Sequence, residues 1–299
     1  MSSNQNSVTV APCRSGAGIN GVSSTEFNDS PLKNSDPIYG MVYSEAFYKG
    51  PDRKWVLLIH GAGGSVRTWK YQLEILKANF NVLQMDLRDH GNSQTMPSLD
   101  AKAYSFQLLA EDVLRLMEAR GIQKAHFVGV SMGTIVVRWI ERLAPEKVCS
   151  ITFAGGVFSL KRPLNFGLKL ALPIARLVPF STLSRFLSFL LLPRRNHQKA
   201  RGIFLREADR IHPLAYRKWL RMLRNIRREL ESLYRSQISV PTLVVMGAQD
   251  HAFLRSATAF SNLHTNVELN VIEKCGHVCN IEAATDFNKS MLDFLRKQE

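Results

Sequence analysis

The stretch Ala125-His-Phe-Val-Gly-Val-Ser-Met-Gly133 gives the strongest indication of the fold. An apolar run of strand length leads into Gly129-Val-Ser-Met-Gly133, and a helical pattern follows from Met132 to about Leu143. When G-x-S-x-G lies between a strand and a helix, the serine occupies a tight turn, and the glycines avoid collisions of Cβ atoms with neighbouring backbone. The pattern predicts that Ser131 projects its hydroxyl beside a helix N-terminus, where N–H groups favour a developing negative charge.

Apolar runs of strand length alternate with helical patterns on both sides of this stretch. Uninterrupted apolar runs are typical of strands buried on both faces, and their alternation with helices predicts an α/β fold with a mostly parallel sheet covered by helices on both faces. The predicted strands are Trp55–His60, Asn81–Asp86, Ala125–Val130, Cys149–Ala154, Thr242–Met246 and Val267–Ile272. The predicted helices include Tyr104–Ala119, Met132–Leu143, Leu254–Leu263 and Glu282–Arg296.

The net charge of +14 is concentrated in one part of the chain. Between Lys161 and Arg235 there are 18 basic and four acidic residues, whereas the rest of the chain contains 21 of each. The remaining composition, with 45% hydrophobic residues, excludes a collagen-like, disulfide-scaffold or wholly disordered protein. Nucleic acid is not favoured as a partner, because no nucleic-acid-binding motif accompanies the charge.

The position of the basic segment also predicts the domain organisation. Residues 157–235 interrupt the strand–helix alternation and are predicted to form a helical insertion. Residues 37–156 and 236–299 on either side form one sheet domain. Residues 1–36, of which 16 are Ser, Asn or Gly, are predicted to be a disordered lead-in.

A nucleophilic serine predicts two further residues. A serine hydroxyl is a weak nucleophile near neutral pH and needs a histidine base that is oriented by a carboxylate. In this architecture an Asp or Glu and then a His follow the serine, each just past a later strand. Asp250 follows the strand that ends at Met246, and His277 follows the strand that ends near Ile272. Ser131, Asp250 and His277 are therefore the candidate catalytic residues.

The glycine-rich turn His60-Gly-Ala-Gly-Gly64, which follows the first central strand, predicts an oxyanion hole. The oxyanion of a tetrahedral intermediate needs preorganised N–H donors. One donor is expected to be the backbone N–H of Met132, and the other that of Ala62, with Gly63 as the alternative. His60 is predicted to brace the turn. The turn lacks both the Lys-Ser/Thr of a P-loop and the pattern G-x-G-x-x-G, which argues against a phosphate site.

These motifs, in this order, resemble the α/β-hydrolase superfamily, and specifically its cap-bearing esterases, lipases and related hydrolases. The resemblance extends from about Met41 to the C-terminus. It rests on His60–Ser65, Asp86–Ser93, Gly129–Gly133, Gly247–Asp250 and Gly276–His277. It implies a sheet of about eight strands, with Ser131 as nucleophile, His277 as base and Asp250 as the orienting acid. Asp89 stands where members often carry glycine, and Phe253-Leu-Arg255 stands where a proline is frequent.

The resemblance implies that the insertion forms a helical cap over the active site. Its first part, Leu164–Pro193, is largely apolar, as expected of short helices that line an acyl pocket or contact a bilayer. Its second part, Arg194–Arg235, has an apolar stripe flanked by Lys and Arg. The stripe consists of Trp219, Leu223, Ile226 and Leu230. The substrate-pocket candidates are Gly61, Gly63, Phe180, Phe186 and Phe253.

Together these patterns predict a serine hydrolase that cleaves carboxylic esters of an acyl substrate through an acyl-enzyme intermediate. Three alternatives use the same triad: a C–C bond hydrolase, a cofactor-free perhydrolase and a hydrolase of acyl esters bound to a carrier protein. A fourth alternative is a non-catalytic ligand receptor on the same scaffold. A serine nucleophile argues against dehalogenases and epoxide hydrolases, which the resemblance associates with an aspartate at this position.

Cofactor, partner and location follow from smaller signals. No metal or other cofactor is expected, because Cys275-Gly-His-Val-Cys279 lacks the ligand spacing of zinc sites. The expected partners are the acyl ester substrate and, through the basic cap, either an anionic membrane surface or an acidic carrier protein. A cytoplasmic location, with or without peripheral membrane attachment, is expected because neither a secretory signal nor an apolar stretch of ~20 residues is present.

Overall fold

The computed structural model describes residues 44–93, 105–160, 177–178, 180–211 and 213–299, together with Phe166. Its sheet contains seven strands in the order β1-β3-β2-β4-β5-β6-β7. The strands are β1 (Ser44–Phe47), β2 (Trp55–Ile59), β3 (Asn81–Met85), β4 (Ala125–Val130), β5 (Val148–Ala154), β6 (Thr242–Gly247) and β7 (Val267–Ile272). The mostly parallel α/β sheet is confirmed, with seven strands in the described residues where about eight were predicted; the segment 1–36 lies outside them.

Strand β1 is the antiparallel member of the sheet, because it pairs with β3 in antiparallel register, whereas the other neighbouring strands run parallel. The helices of the described residues are α1 (Leu73–Asn79), α2 (Phe106–Ala119), α3 (Met132–Leu143), α4 (Phe180–Leu191), α5 (Gln198–Ala208), α6 (Pro213–Met222), α7 (Ile226–Arg235), α8 (Leu254–Leu263), α9 (Cys279–Glu282) and α10 (Ala284–Arg296). None of these helices combines the length and the apolar character needed to cross a bilayer.

Side chains of the central strand β2 alternate between two hydrophobic cores. Leu57 and Ile59 pack into the core on the side of α2 and α3. Val56 and Leu58 pack into the core on the other side, which includes residues of α1 and α10. All five residues of β2 are buried, as expected for a parallel strand covered by helices on both faces.

Helices α4 to α7 lie between β5 and β6 and belong to the insertion 157–235. The second half of the insertion is part of the main core of the protein. Trp219, Ile226 and Leu230 are buried in the same core as the residues of β2 and α2, which confirms three of the four residues of the predicted stripe. Leu223, the fourth, is half-buried and packs against that core.

The parallel register brings the carboxyl ends of β2, β4, β6 and β7 to one edge of the sheet. His60 follows β2, Ser131 follows β4, and Asp250 and His277 lie in the loops after β6 and β7. Functional groups that are far apart in sequence therefore meet at this edge, as is usual for ligand sites of parallel sheets.

Candidate active site

Ser131 lies in a sharp turn between β4 and α3. Its backbone has φ 52° and ψ −119°, a conformation that non-glycine residues rarely adopt. The Ser131 N–H donates to the carbonyl of Ala154 on β5 at 2.9 Å. The Ser131 carbonyl accepts from the Thr134 N–H at 2.9 Å and from the Thr134 hydroxyl at 2.6 Å. These bonds hold the strained turn and leave the serine hydroxyl free to face the histidine.

Close backbone approach explains the two glycines of Gly129-Val-Ser-Met-Gly133. A Cβ at Gly133 would lie 2.2 Å from the carbonyl oxygen of Ile59, the last residue of β2. A Cβ at Gly129 would lie 2.9 Å from the carbonyl carbon of Gly133. Both glycines are therefore required for α3 to start this close to the neighbouring strand.

The three candidate catalytic side chains meet at the edge of the sheet. His277 Nε2 lies 2.9 Å from Ser131 Oγ, and His277 Nδ1 lies 2.7 Å from Asp250 Oδ2. With Nδ1 protonated, His277 donates to Asp250, and its Nε2 can accept the proton of the serine hydroxyl. Hydrogen bonding from nucleophile to base, and from base to carboxylate, is the arrangement that nucleophilic catalysis by serine requires.

Asp250 is buried and is held in its charged form. Its second oxygen, Oδ1, accepts the backbone N–H groups of Ala252 at 3.2 Å and Phe253 at 3.0 Å. Burial alone would raise the pKa of Asp250, but His277 and these N–H groups outweigh burial, and the pKa lies below its usual value. The carboxylate can therefore orient the imidazole and stabilise its cation.

Glu282 orients the segment that carries His277. One oxygen of Glu282 accepts the backbone N–H of Gly276 at 3.2 Å, and the other accepts that of Val278 at 3.0 Å. The two bonded residues flank His277 directly. Sequence analysis missed this role, because a glutamate at the end of a one-turn helix has no local signature of such contacts.

The turn after β2 lies against the turn that carries the nucleophile. A Cβ at Gly61 would lie 3.1 Å from the Ser131 Cβ and 3.8 Å from the backbone nitrogen of Met132. The Gly63 N–H donates to His90 Nε2 at 3.1 Å and is therefore already used. Within the described part of the chain, no acceptor occupies the N–H groups of Ala62 and Met132. These two groups remain the candidate oxyanion donors, and Gly63 is not one.

Two buried, neutral histidines brace this turn. His60 donates from Nδ1 to the Gly61 carbonyl at 2.8 Å and accepts the Leu87 N–H at Nε2 at 2.9 Å, which confirms its predicted role. His90 accepts the Gly63 N–H, as described above, and its Nδ1 lies 3.1 Å from the Arg88 carbonyl. Burial lowers the pKa of His60 to about 3 and that of His90 to about 4. Both rings therefore act as fixed hydrogen-bonding groups.

The insertion makes three contacts with this region, two with the loop after β3 that carries Asp89 and His90, and one with Ser65 at the end of the turn after β2. The Trp219 ring of α6 packs edge-on against His90, with 4.7 Å between ring centroids. Next to Trp219, Lys218 Nζ lies 3.3 Å from Asp89 Oδ2, and both side chains are buried. From α5, Glu207 accepts the Ser65 hydroxyl at 2.6 Å. Asp89 thus has a partner in the insertion.

The structure places some of the candidate pocket residues beside the catalytic groups and others away from them. The Phe253 ring lies 5.1 Å from the His277 ring, and Gly61 borders the nucleophile as described above. Gly63 faces α5, since a Cβ there would lie 3.6 Å from the Phe204 ring. Phe186, in contrast, is 63% exposed on the outer face of α4, which corrects its assignment to a pocket. Phe180 begins α4, and its side chain lies outside the described residues.

Comparisons with known proteins agree with this architecture. A family model described as "alpha/beta hydrolase fold" matches residues 54–284. The 3-oxoadipate enol-lactonase 1 of Acinetobacter baylyi is 27% identical over 234 residues, covering 76% of this chain and 83% of that protein. A putative carbamate hydrolase, RutD, of Stutzerimonas stutzeri is 25% identical over 272 residues, covering 83% of this chain and 94% of that protein. The solved structure of a thermophilic esterase from Thermogutta terrifontis has a TM-score of 0.72 and 21% identity, covering 86% of this chain and 93% of that one.

The family match includes the turn after β2, the turn at Ser131 and the two loops with Asp250 and His277. It spans most of the chain, including both halves of the sheet on either side of the insertion. The chain therefore belongs to the α/β-hydrolase fold family and is a hydrolase.

Proposed function

We propose that this protein hydrolyses carboxylic esters through an acyl-enzyme on Ser131. The observation that carries the proposal is the pair of contacts made by His277, 2.9 Å from Ser131 Oγ and 2.7 Å from Asp250 Oδ2. One imidazole placed between a hydroxyl and a carboxylate can take a proton on one side while it is oriented and stabilised on the other.

In the first half of the reaction, Ser131 Oγ attacks the ester carbonyl carbon as its proton passes to His277 Nε2. The carbonyl oxygen becomes an oxyanion, which the N–H groups of Met132 and Ala62 bind. Each such donor contributes about 3–4 kcal/mol to the stability of the transition state. The tetrahedral intermediate then collapses, the C–O bond to the alcohol breaks, and His277 returns its proton to the leaving alkoxide.

In the second half, water replaces the alcohol. His277 removes a proton from the water, whose oxygen attacks the acyl carbonyl, and the new oxyanion occupies the same pair of N–H groups. Collapse of this intermediate breaks the bond to Ser131 Oγ, which recovers its proton from His277. Asp250, held in its charged form, stabilises the imidazolium in both halves.

An acyl substrate is supported by the aromatic residues near the reacting groups. Phe253 lies beside His277, and Phe204 of α5 lies beside Gly63 in the oxyanion turn. Two apolar rings this close to the reacting groups favour a hydrocarbon acyl group over a polar one. The names of an enol-lactonase and an esterase among the similar proteins support ester chemistry.

A carbamate hydrolase is the second candidate, because a putative enzyme of this kind is among the relatives that match nearly over their full length. A carbamate carbonyl would use the same nucleophile and the same oxyanion donors. Its nitrogen makes the carbonyl less electrophilic, so the structure gives no reason for carbamates to react faster than esters.

The test is a kinetic comparison on matched substrates. Purified protein is assayed with p-nitrophenyl esters of increasing acyl length and with a p-nitrophenyl carbamate. We expect kcat/KM to rise with acyl length and the esters to exceed the carbamate. Intact-mass measurement during turnover should show the acyl adduct on the protein, and its absence from Ser131→Ala. No turnover of any ester, or faster turnover of the carbamate, would overturn the proposal.

A further inference from the structure

Helix α4 turns three of its large apolar side chains toward solvent. Phe186 and Phe189 are 63% and 54% exposed, and Leu190 is also exposed. The buried positions of the helix are instead Ser184 and Ser188. Because 184, 188 and 192 are one turn apart, they form one stripe; Phe186 lies on the opposite side of the helix, and Phe189 lies between the two. Part of the apolar surface of the helix therefore faces solvent, whereas the apolar face of an ordinary surface helix points into the core.

The buried serines need no partner outside their own helix. The Ser184 hydroxyl donates to the Ser181 carbonyl at 3.0 Å, and the Ser188 hydroxyl donates to the Arg185 carbonyl at 2.7 Å. Because their hydroxyls are bonded within the helix, these two small side chains occupy buried positions without an unsatisfied polar group. The inner face is thus occupied, and the exposed aromatic face is left without a covering element among the described residues.

The charges around this aromatic face all have the same sign. No Asp or Glu occurs between Glu146 and Glu207, and Glu207 is engaged with the Ser65 hydroxyl. Arg185, on the same face as the phenylalanines, is exposed, and so are Arg194 and Arg195 just beyond the end of α4. These three side chains form no ion pair within the described part of the chain.

A further arginine, Arg201, packs directly on one of the exposed phenylalanine rings. The Arg201 guanidinium of α5 lies over the Phe189 ring, 4.7 Å from its centroid. It also donates to the Arg194 carbonyl at 2.8 Å, which fixes the segment after α4 against α5. A guanidinium that lies on an aromatic ring keeps its charge beside an apolar surface.

We propose that the outer face of α4, with Phe186, Phe189 and Leu190, and the adjoining Arg185, Arg194 and Arg195, docks on the surface of an anionic phospholipid bilayer. Exposed phenylalanines insert at the level of the headgroups, and arginines at the same level attract anionic lipids. A helix of 12 residues is too short to span a bilayer and lies along its surface. An acidic protein would complement the arginines but would leave the insertion of aromatic rings without a purpose.

Docking at this face brings the bilayer next to the candidate active site. Leu192 and Ala200, at the junction of α4 and α5, pack against Ile281 in the segment that follows His277. At the other end of α5, Ala208 lies beside Gly63 of the oxyanion turn. Helix α5 thus bridges the two loops of the site, with α4 on its outer side. This consequence for substrate delivery rests on the proposed function, whereas docking itself does not.

The test measures binding of the full chain to vesicles by flotation. Vesicles of phosphatidylcholine alone are compared with vesicles of equal amounts of phosphatidylcholine and phosphatidylglycerol, at low and high salt. The variants are Phe186→Ser/Phe189→Ser, Arg194→Gln/Arg195→Gln and, as a control, Leu263→Ser, since Leu263 is an apolar residue outside the insertion that is even more exposed (77%). Circular dichroism and thermal melting verify that each variant is folded. Ser131→Ala is included because it separates docking from hydrolysis.

We expect binding to the anionic vesicles that weakens at high salt, with little binding to phosphatidylcholine alone. The double phenylalanine variant should lose at least about tenfold in partition coefficient, because two rings no longer leave water. The double arginine variant should lose about tenfold or more, since each basic residue near an anionic surface contributes about one kcal/mol. Leu263→Ser and Ser131→Ala should bind like the unmodified chain.

Three outcomes would overturn the proposal. The first is no binding to anionic vesicles by the unmodified, folded protein. The second is an unchanged partition coefficient in the phenylalanine variant, which would indicate binding by charge alone. The third is binding to an acidic acyl carrier protein, with no vesicle binding, that the arginine variant abolishes. If vesicle binding is found while Ser131→Ala still hydrolyses esters, the docking surface stands and the proposed function fails.

Discussion

His90 makes stability depend on pH, and the effect can be calculated from its surroundings. The ring is buried, and burial lowers its pKa to about 4, against about 6.5 for an exposed histidine. Because the folded protein resists protonation of this ring, the neutral histidine stabilises the fold fully above pH ~6.5. This contribution to the free energy of unfolding is lost as the pH falls toward 4. Between pH 7 and pH 5 the loss is about 2 kcal/mol in the free energy of unfolding, since the unfolded chain binds a proton that the folded protein excludes.

The perturbation is His90→Gln. Glutamine can accept the Gly63 N–H through its amide oxygen, and it does not titrate. The free energy of unfolding is measured by urea denaturation at pH 7 and at pH 5. Its decrease between these two pH values should be about 2 kcal/mol smaller in the variant than in the unmodified protein. The absolute stability at pH 7 can differ between the two proteins, because the imidazole packs against Trp219. The prediction concerns the difference between the two pH values.

His126→Gln is the matched control. His126 is a buried histidine of β4 that lies outside the candidate site, where Ser150 bonds its Nδ1 at 2.7 Å, and burial lowers its pKa to about 3. His126→Gln should reduce the loss of unfolding free energy between pH 7 and pH 5 by a similar ~2 kcal/mol. If His126→Gln reduces it and His90→Gln leaves it unchanged, His90 is not a buried neutral ring, and the description of the oxyanion turn is wrong.

Three further predictions concern the site and its supports. Asp250→Asn should lower kcat by about four orders of magnitude, because the imidazole loses its orienting charge; a decrease of less than about tenfold in steady-state assays would argue against this role. Gly133→Ala places a Cβ 2.2 Å from the Ile59 carbonyl oxygen, and urea denaturation should show a loss of about 1–3 kcal/mol in the free energy of unfolding; unchanged stability would contradict the close approach. Lys218→Met leaves the Asp89 carboxylate buried without its cation and should cost about 3 kcal/mol or more in the same measurement. Asp89→Asn in the Lys218→Met background should recover part of this loss, and no recovery would show that the pair is not coupled.

Local patterns were sufficient to predict six of the seven strands and the three candidate catalytic residues, whereas the antiparallel strand β1 was not predicted. A buried parallel strand has an apolar run, and a serine turn between strand and helix needs the glycines at 129 and 133. Asp250 and His277 were predicted because chain order and strand ends restrict where their side chains can lie. Helix α2 was predicted equally well, since Phe106, Leu109, Val113 and Leu116 recur at helical spacing and all four are buried.

Contacts between distant segments could not be predicted. Lys218 and Asp89 are 129 residues apart, and Glu207 and Ser65 are 142 residues apart. A lysine among many basic residues has no feature that marks it as the buried one. Glu282 likewise carries no signal that its carboxylate orients the segment with His277.

Helix α4 shows where a pattern misleads. Helix α4 has an apolar side and a polar side, a pattern that predicts that the apolar side faces the core. Phe186 was therefore assigned to a pocket. In the structure Ser184 and Ser188 are the buried positions of the helix, and Phe186 faces outward.

The central claim is that Ser131 is the nucleophile, and covalent labelling tests it most directly. The unmodified protein and Ser131→Ala are treated with a fluorophosphonate and analysed by intact mass and peptide mapping. The account predicts one phosphonyl adduct on the unmodified protein, located on the peptide that contains Ser131, and none on the variant. His277→Ala should label much more slowly, because the serine loses its base. An adduct on folded Ser131→Ala, or on another residue of the unmodified protein, would contradict the account.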